Sequence, residues 1–222
     1  MARCRLERLV RADRAARRPT RRQTALHDPG GPPAERPADL VERRFTADRP
    51  IAWWVADITD VPTCSAMVHV AFVTDVFSRG VVGCGLDTSM STDLPLDALD
   101  MAIRGREGGP LEGLVHYSER GSQDTSIRST ERLVEAGATL SVGSVGDSYD
   151  NALAEPVNGL YKTGLINRQG PWRARDDVEL ATFERVDRYN HRRTHGSRQN
   201  MPPVEYEAAF HTTNEPADMV EV

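Results

Sequence analysis

The element order legible in the sequence is three strands, then helix, strand, helix, strand and helix. That order predicts an α/β domain, a mixed five-stranded sheet with helices on its faces. Three observations carry the prediction. Ala52–Thr59, Met67–Thr74 and Val81–Leu86 are runs of β-branched and aromatic residues bounded by turn signals. The connections Asp60–Ala66 and Asp75–Gly80 are of hairpin length, so these three strands read as antiparallel neighbours. Beyond Leu86, helices and strands alternate, which calls for right-handed crossovers between parallel strands.

The later elements follow in order. Thr92–Arg104 sets Leu96, Leu99, Ala102 and Ile103 at helical spacing, with Pro95 tolerable in the first turn. Leu114–Tyr117 is a short strand. Ser126–Ala136 is a helix with Ile127, Leu133 and Val134 on one side, closed by Gly137 as a C-cap. Thr139–Val142 is the fifth strand, and the polar loop GSVGDSYDN leads into a helix over roughly Ala152–Ile166. Asp176–Tyr189 reads as a helix with Asp176 as its N-cap, and Val204–Ala209 as a last short one. Upstream, Leu6, Leu9 and Val10 recur among arginines as in a short basic helix, and DPGGPPAER reads as a linker. The expected organisation is a basic arm (1–23), a linker (24–39), a core (40–166) and a C-terminal helical extension (167–222). No internal repeat is visible.

Composition narrows the function. The 222 residues are 39% hydrophobic and 27% charged, which suits a soluble globular chain. The longest apolar run, Met67–Val73, is far shorter than a membrane span and contains His69. The start, MARCRLERLV, has arginines where a signal peptide needs an apolar stretch, so the chain reads as cytosolic with no membrane partner. Cys4, Cys64 and Cys84 share no CxxC spacing, which excludes a disulfide framework and a cysteine zinc site. Net charge is −5, but the first 23 residues carry +7, leaving −12 on the remainder. The bulk is acidic behind a basic arm. Lysine occurs once, at Lys162, against 27 arginines, as a GC-rich coding sequence produces.

Three carboxylates fall where this topology brings chain segments together. Asp57 lies within the first strand after an apolar run expected to be buried, Glu119 follows the fourth strand, and Glu155 sits in the helix after the polar loop. An unpaired buried carboxylate is costly, so Asp57 needs a partner or a cation. Carboxylates gathered from two strands and a helix suit a hard cation such as Mg²⁺. Two such ions about 4 Å apart can activate an attacking oxygen and stabilise the leaving one in phosphoryl displacement.

WVADIT, FVTDVFSRGVVG, LVHYSERGSQDTS, SYDNALAEPVNGLYK, YNHRRTHG and MPPVEYEAAF follow one another over about residues 38–210. Together they resemble the catalytic subunit of bacterial insertion-sequence transposases encoded in two overlapping reading frames, with a retroviral-integrase-like core. Thirty-five residues separate Glu119 from Glu155, the spacing that family shows between its second and third acids, and Lys162 stands at the family's basic position seven beyond the last acid. That spacing has its own physics: seven residues are two helical turns within about 20°, so positions 155 and 162 share a helix face roughly 10 Å apart. The resemblance implies a ribonuclease-H-like fold and a DDE-type polynucleotidyl transferase. Its carboxylates Asp57, Glu119 and Glu155 would hold Mg²⁺, with Mn²⁺ as a substitute. Its chemistry would be cleavage at the ends of a mobile element, then attack of a 3′-hydroxyl on target DNA. It further implies DNA contacts at Lys162, Arg120, Asn151, Arg192 and Arg193, a homo-oligomer on DNA, and the product of an upstream reading frame as a partner. Residues 1–23 then resemble the tail of a larger helical DNA-binding portion. The alternative reading is a catalytically inactive DNA-binding remnant. A nuclease acting on hybrids would leave YNHRRTHG and the PPVEYEAA run unexplained.

Departures from the family pattern mark where activity is at risk. Glu119 replaces aspartate, moving the carboxylate by somewhat more than 1 Å, and a misplacement near 1 Å can cost about 10²-fold in rate. Pro156 follows Glu155 where a small hydroxyl residue is usual; inside a helix it would break the hydrogen-bond ladder, whereas a helix beginning at Glu155 would accept it as an early position. Asp60 and Asp124 stand in place of tyrosine and Cys84 in place of tryptophan, so added charge or lost aromatic bulk near the site is expected to oppose DNA. Among smaller signals, His191 and His195 are four apart but lack a third ligand, so they read as DNA contacts or packing. Asp75 reads as a turn cap, and Asp150 with Asn151 as a cap or a DNA contact.

Overall fold

The structure, a computed structural model, describes residues 46–91, 93–106, 111–118, 123–142 and 154–214. The basic arm, the linker, Glu119, Arg120, Asp150 and Asn151 lie outside the described residues, as do the side chains of Asp124 and Glu155.

Five strands form one sheet: β1 (Trp53–Pro62), β2 (Met67–Asp75), β3 (Val81–Asp87), β4 (Val115–Ser118) and β5 (Thr139–Val142), in the order β3-β2-β1-β4-β5. β1, β2 and β3 pair antiparallel, as hairpin-length connections require, while β4 and β5 run parallel to β1. The helices are α1 (Asp93–Arg104), α2 (Gln123–Glu135), α3 (Ala154–Tyr161), α4 (Arg175–His191) and α5 (Pro203–Asn214). α3 continues without a break into a π-turn, Lys162–Ile166, and a closing turn, Asn167–Gln169. The expected mixed sheet with helices on its faces is the observed one.

Each sheet face has its own core, and strand alternation sorts the residues between them. On one face Trp54, Ala71, Val73 and Leu140 meet Leu94 and Leu99 of α1 and Leu133 of α2. On the other, Val61, Val70, Phe72 and Cys84 meet Val157 and Tyr161 of α3 and Val178 and Tyr189 of α4. α1 lies directly on β3, because a Cβ on Gly83 would come within 2.1 Å of the Ala98 carbonyl oxygen. Tyr161 locks α3 in place. Its ring meets Phe72 edge-on at 5.0 Å, and its hydroxyl is hydrogen-bonded to Thr182 Oγ1 at 2.7 Å, so one side chain ties α3 to both sheet and α4. Burial pushes its phenol pKa up to about 12.

The YNHRRTHG motif has a structural duty at the sheet edge. The Asn190 side chain accepts from the Val81 N–H at 2.9 Å and donates to the Val81 carbonyl at 2.8 Å. This amide imitates a neighbouring strand on β3, which is an edge strand. Arg175 at the other end of α4 donates to the Leu86 carbonyl at 3.2 Å.

Three local expectations change. Asp176 is not an N-cap: that position is Ala174, and Asp176 falls in the first turn, where its charge still suits the helix dipole. Pro156 does not break a helix, because α3 begins at Ala154 and the proline occupies its first turn, where the backbone N–H has no intrahelical partner to lose. Asp60 does not charge the face that carries Asp57. It is three residues on in the same strand, hence on the opposite face, and it bonds His69 Nδ1 at 2.7 Å.

Candidate active site

Asp57 stands in the middle of β1, in register with Phe72 of β2. β4 lies alongside, and its last residue, Ser118, is in register with Ala56, the neighbour of Asp57. On the same face as Val61, Asp57 meets α3. Its Oδ2 accepts a hydrogen bond from the Asn158 side-chain amide, and its Oδ1 accepts the Ile58 N–H at 2.8 Å. Asn158 is three residues past Glu155, one turn along the same side of the helix. The structure therefore joins β1 to the helix that bears Glu155.

Asp57 is half-buried rather than buried as its apolar run suggested. Lys162 is exposed at the first position of the π-turn, two turns past position 155 along regular α-helix, as the seven-residue spacing requires. Arg192 and Arg193 are exposed just beyond the end of α4.

Asn158 was not among the residues singled out from the sequence. Its Oδ1 is buried and has no hydrogen-bond partner among the described residues. The available signal was its place one turn beyond Glu155, but asparagine in a helix has no spacing that distinguishes a site from a surface. A carboxylate beside a buried amide oxygen without a donor is an arrangement of hard oxygen ligands, which is what Mg²⁺ prefers. Among the described residues no three His, Cys, Asp or Glu side chains gather as a metal cluster.

The remaining candidates have other duties. Asp75 is a turn cap as expected: it is fully buried, and accepts from the Ser78 N–H and hydroxyl at 2.8 and 2.9 Å and from the Ile51 N–H at 3.0 Å. Burial raises its pKa, while those hydrogen bonds pull the other way. His191 bonds Asp187 on its own helix, and His195 packs edge-on against Tyr189 at 4.7 Å, with burial lowering its pKa. The two histidines do not form a metal pair. Cys84 fills core volume under α3 and α4, and burial pushes its thiol up to about 12.

Comparison with known proteins agrees with this architecture. A family profile described as "Integrase core domain" matches residues 47–148, and a second of the same description matches residues 136–203. The chain is 49% identical over 216 residues to a putative transposase for insertion sequence element IS986/IS6110 of Mycobacterium tuberculosis, covering 95% of this chain and 77% of the relative. It is 47% identical over 175 residues to the transposase for insertion sequence element IS629 of Shigella sonnei, covering 79% and 58%. In fold it is similar to a chain of the simian T-cell lymphotropic virus intasome, with TM-score 0.58 at 15% identity, covering 84% of this chain and 62% of that one. It is likewise similar to the HTLV-2 integrase catalytic core domain in complex with magnesium, with TM-score 0.51 at 16% identity, covering 72% and 98%. These neighbours have the ribonuclease-H-like fold expected for this chain. A retroviral-type sheet with Asp57 at its centre and a relative alike along nearly the whole length lead to one conclusion: the chain belongs to the insertion-sequence transposases and carries their integrase-like catalytic core.

Proposed function

We propose that this chain is a DDE-type polynucleotidyl transferase that cleaves DNA at the ends of an insertion element and joins them to target DNA. Asp57, Glu119 and Glu155 are its catalytic carboxylates, and Mg²⁺ is its cofactor, with Mn²⁺ able to substitute. The observation that carries the reading is the bond from Asn158 to Asp57, which brings the helix of Glu155 to β1 at the level where β4 ends before Glu119. The HTLV-2 relative in fold was solved with magnesium, and the donors around Asp57 are of the oxygen type that ion takes.

The bound metal would supply an activated oxygen nucleophile and neutralise charge on the leaving oxygen. The protein's own contribution is orientation. Asn158 holds Asp57 in one rotamer by a charge-assisted hydrogen bond. Tyr161 fixes α3 against sheet and α4, so that position 162 stays two turns from 155. Lys162, Arg120 and Asn151 are the proposed DNA contacts beside the carboxylates. A homo-oligomer on paired element ends, acting on chromosomal DNA in the cytoplasm, and a partner from an upstream frame complete the reading. Residues 1–23 and 24–39 remain proposed as arm and linker, ahead of a core (40–166) and a helical extension (167–222).

The test is strand cleavage and joining on labelled element-end DNA with Mg²⁺ or Mn²⁺, comparing the chain with Asp57→Asn and Glu119→Asp. Product that depends on metal and on Asp57 supports the reading. Product only after Glu119→Asp identifies a site displaced by one methylene. Duplex binding without product in both forms would instead assign the chain to the inactive remnant.

A further inference from the structure

A groove of about 910 Å³ runs between α4 and the π-turn with its closing turn, lined by Arg168, Arg185, Arg188, Arg192 and Arg193. Leu160 lies on its α3 wall, whereas Asn158 faces Asp57. Two residues are about 200° around an α-helix. The groove is therefore on the flank of α3 turned away from Asp57 and is not part of the carboxylate site.

Its arginines differ from most others among the described residues, although Arg79 and Arg198 likewise have no ion pair. Arg106, Arg128, Arg132, Arg173 and Arg175 each pair with a carboxylate, on Glu207, Asp93, Asp100, Asp177 and Glu179 respectively. Among the described residues, Arg168, Arg188, Arg192 and Arg193 have no ion pair and no side-chain hydrogen bond. Glu184 is the one acid on the groove wall and pairs with none of them. Arg185 donates to the Leu160 carbonyl at 3.3 Å, and Gly164 makes room for it, since a Cβ there would come within 2.6 Å of Nη2. Burial, then the neighbouring charges of Arg193 and Arg188, lower the pKa of Arg185. A chain with more acids than bases has thus kept its arginines together here without carboxylate partners, an arrangement that an external polyanion relieves.

We infer that this groove binds the phosphodiester backbone of duplex DNA outside the cleavage site. The inference rests on the reading of the chain as a DNA-acting enzyme. Arg185 and Arg188 on α4 and Arg192 at its C-cap follow one another over roughly 10 Å, the rise of about three phosphates along one strand. The aromatic on the lining, Tyr189, is buried, so the groove offers no platform on which unpaired bases could stack. Backbone charge is what it can read.

The test is fluorescence anisotropy of a labelled random-sequence duplex with the full chain, titrated across salt. Arg188→Gln/Arg192→Gln is compared with Arg104→Gln/Arg173→Gln, an equal charge change at two arginines already paired with carboxylates, and circular dichroism verifies folding of both. Losing two phosphate contacts lowers the log–log salt slope by about two. Between about 50 and 200 mM salt the parent then loses on the order of tenfold more affinity than the groove variant. The control keeps the parent slope. A groove variant with the parent slope overturns the proposal, as does a groove dependence seen with polyglutamate but not with duplex. A parent that binds no duplex at any salt removes the DNA-acting reading itself, which separates the two failures.

Discussion

Two aspartates of the first hairpin have opposite surroundings. Asp75, at the end of β2, is fully buried and meets donors supplied within its own turn and by the backbone of Ile51. Asp57, three residues along the neighbouring strand from Asp75's partner Trp54, is half-buried and held by an amide that arrives from α3, about a hundred residues away in the chain. The contrast separates a carboxylate satisfied within its own turn from one held across two elements. Where the local backbone itself supplies the donors, the carboxylate caps a turn. Where the partner is a distant helix side chain, the carboxylate ties one element of the fold to another.

The contrast would break first at Asp57. Asp57→Asn should lower strand cleavage by about 10³-fold or more, equivalent to roughly 4 kcal/mol of barrier. Its urea midpoint should stay near the parent's. A large loss of stability with preserved turnover would reverse the assignment. Asp75→Ala should do the opposite, since it orphans buried N–H groups of Ile51 and Ser78 at about 1–3 kcal/mol each. A stability loss near 3 kcal/mol is expected, a fall in melting temperature of about 6–12 °C. Calorimetry showing no change would deny Asp75 its capping role.

A buried base extends the same logic. His116 on β4 is buried, and burial lowers its pKa from 6.5 to about 4. The unfolded chain therefore takes up the proton first as pH falls. Stability is whole above about 6.5, declines between 6.5 and about 4, and loses no more from this group below that. The total is up to about 3 kcal/mol. Urea midpoints followed through this window should flatten in His116→Leu, and an unchanged profile would sink the assignment.

Smaller effects sharpen the site. Asn158→Ala should cost about 10- to 100-fold in cleavage, as the loss of a group that orients a metal ligand does, and should raise the Mg²⁺ concentration for half-maximal rate. If rate falls with the metal dependence unaltered, Asn158 merely packs. Pro156→Ser should change both rate and stability little, within about 1 kcal/mol, because the proline already sits in the first turn.

Much of this was legible beforehand, and the reason lies in short-range periodicity. Alternating β-branched residues, hairpin-length turns and the order of later elements predicted five strands with the observed pairing directions. Asp75 could be read as a cap because its donors are three residues away or less, apart from Ile51. Errors arose where meaning depended on where an element begins. Pro156 looked disruptive only if the helix started earlier than Ala154, and Asp60 looked like added charge until strand parity put it on the far face.

By itself the sequence determined the α/β class and the seven-residue interval from Glu155 to Lys162, since each is a local pattern or a spacing along one element. Only the tertiary structure decided that Asn158 reaches Asp57, that Asn190 closes the edge of β3, and that five arginines from two helical segments share a groove without carboxylate partners. Those contacts join residues from separate elements, and no periodicity along a chain encodes which side chains meet when helices dock on a sheet.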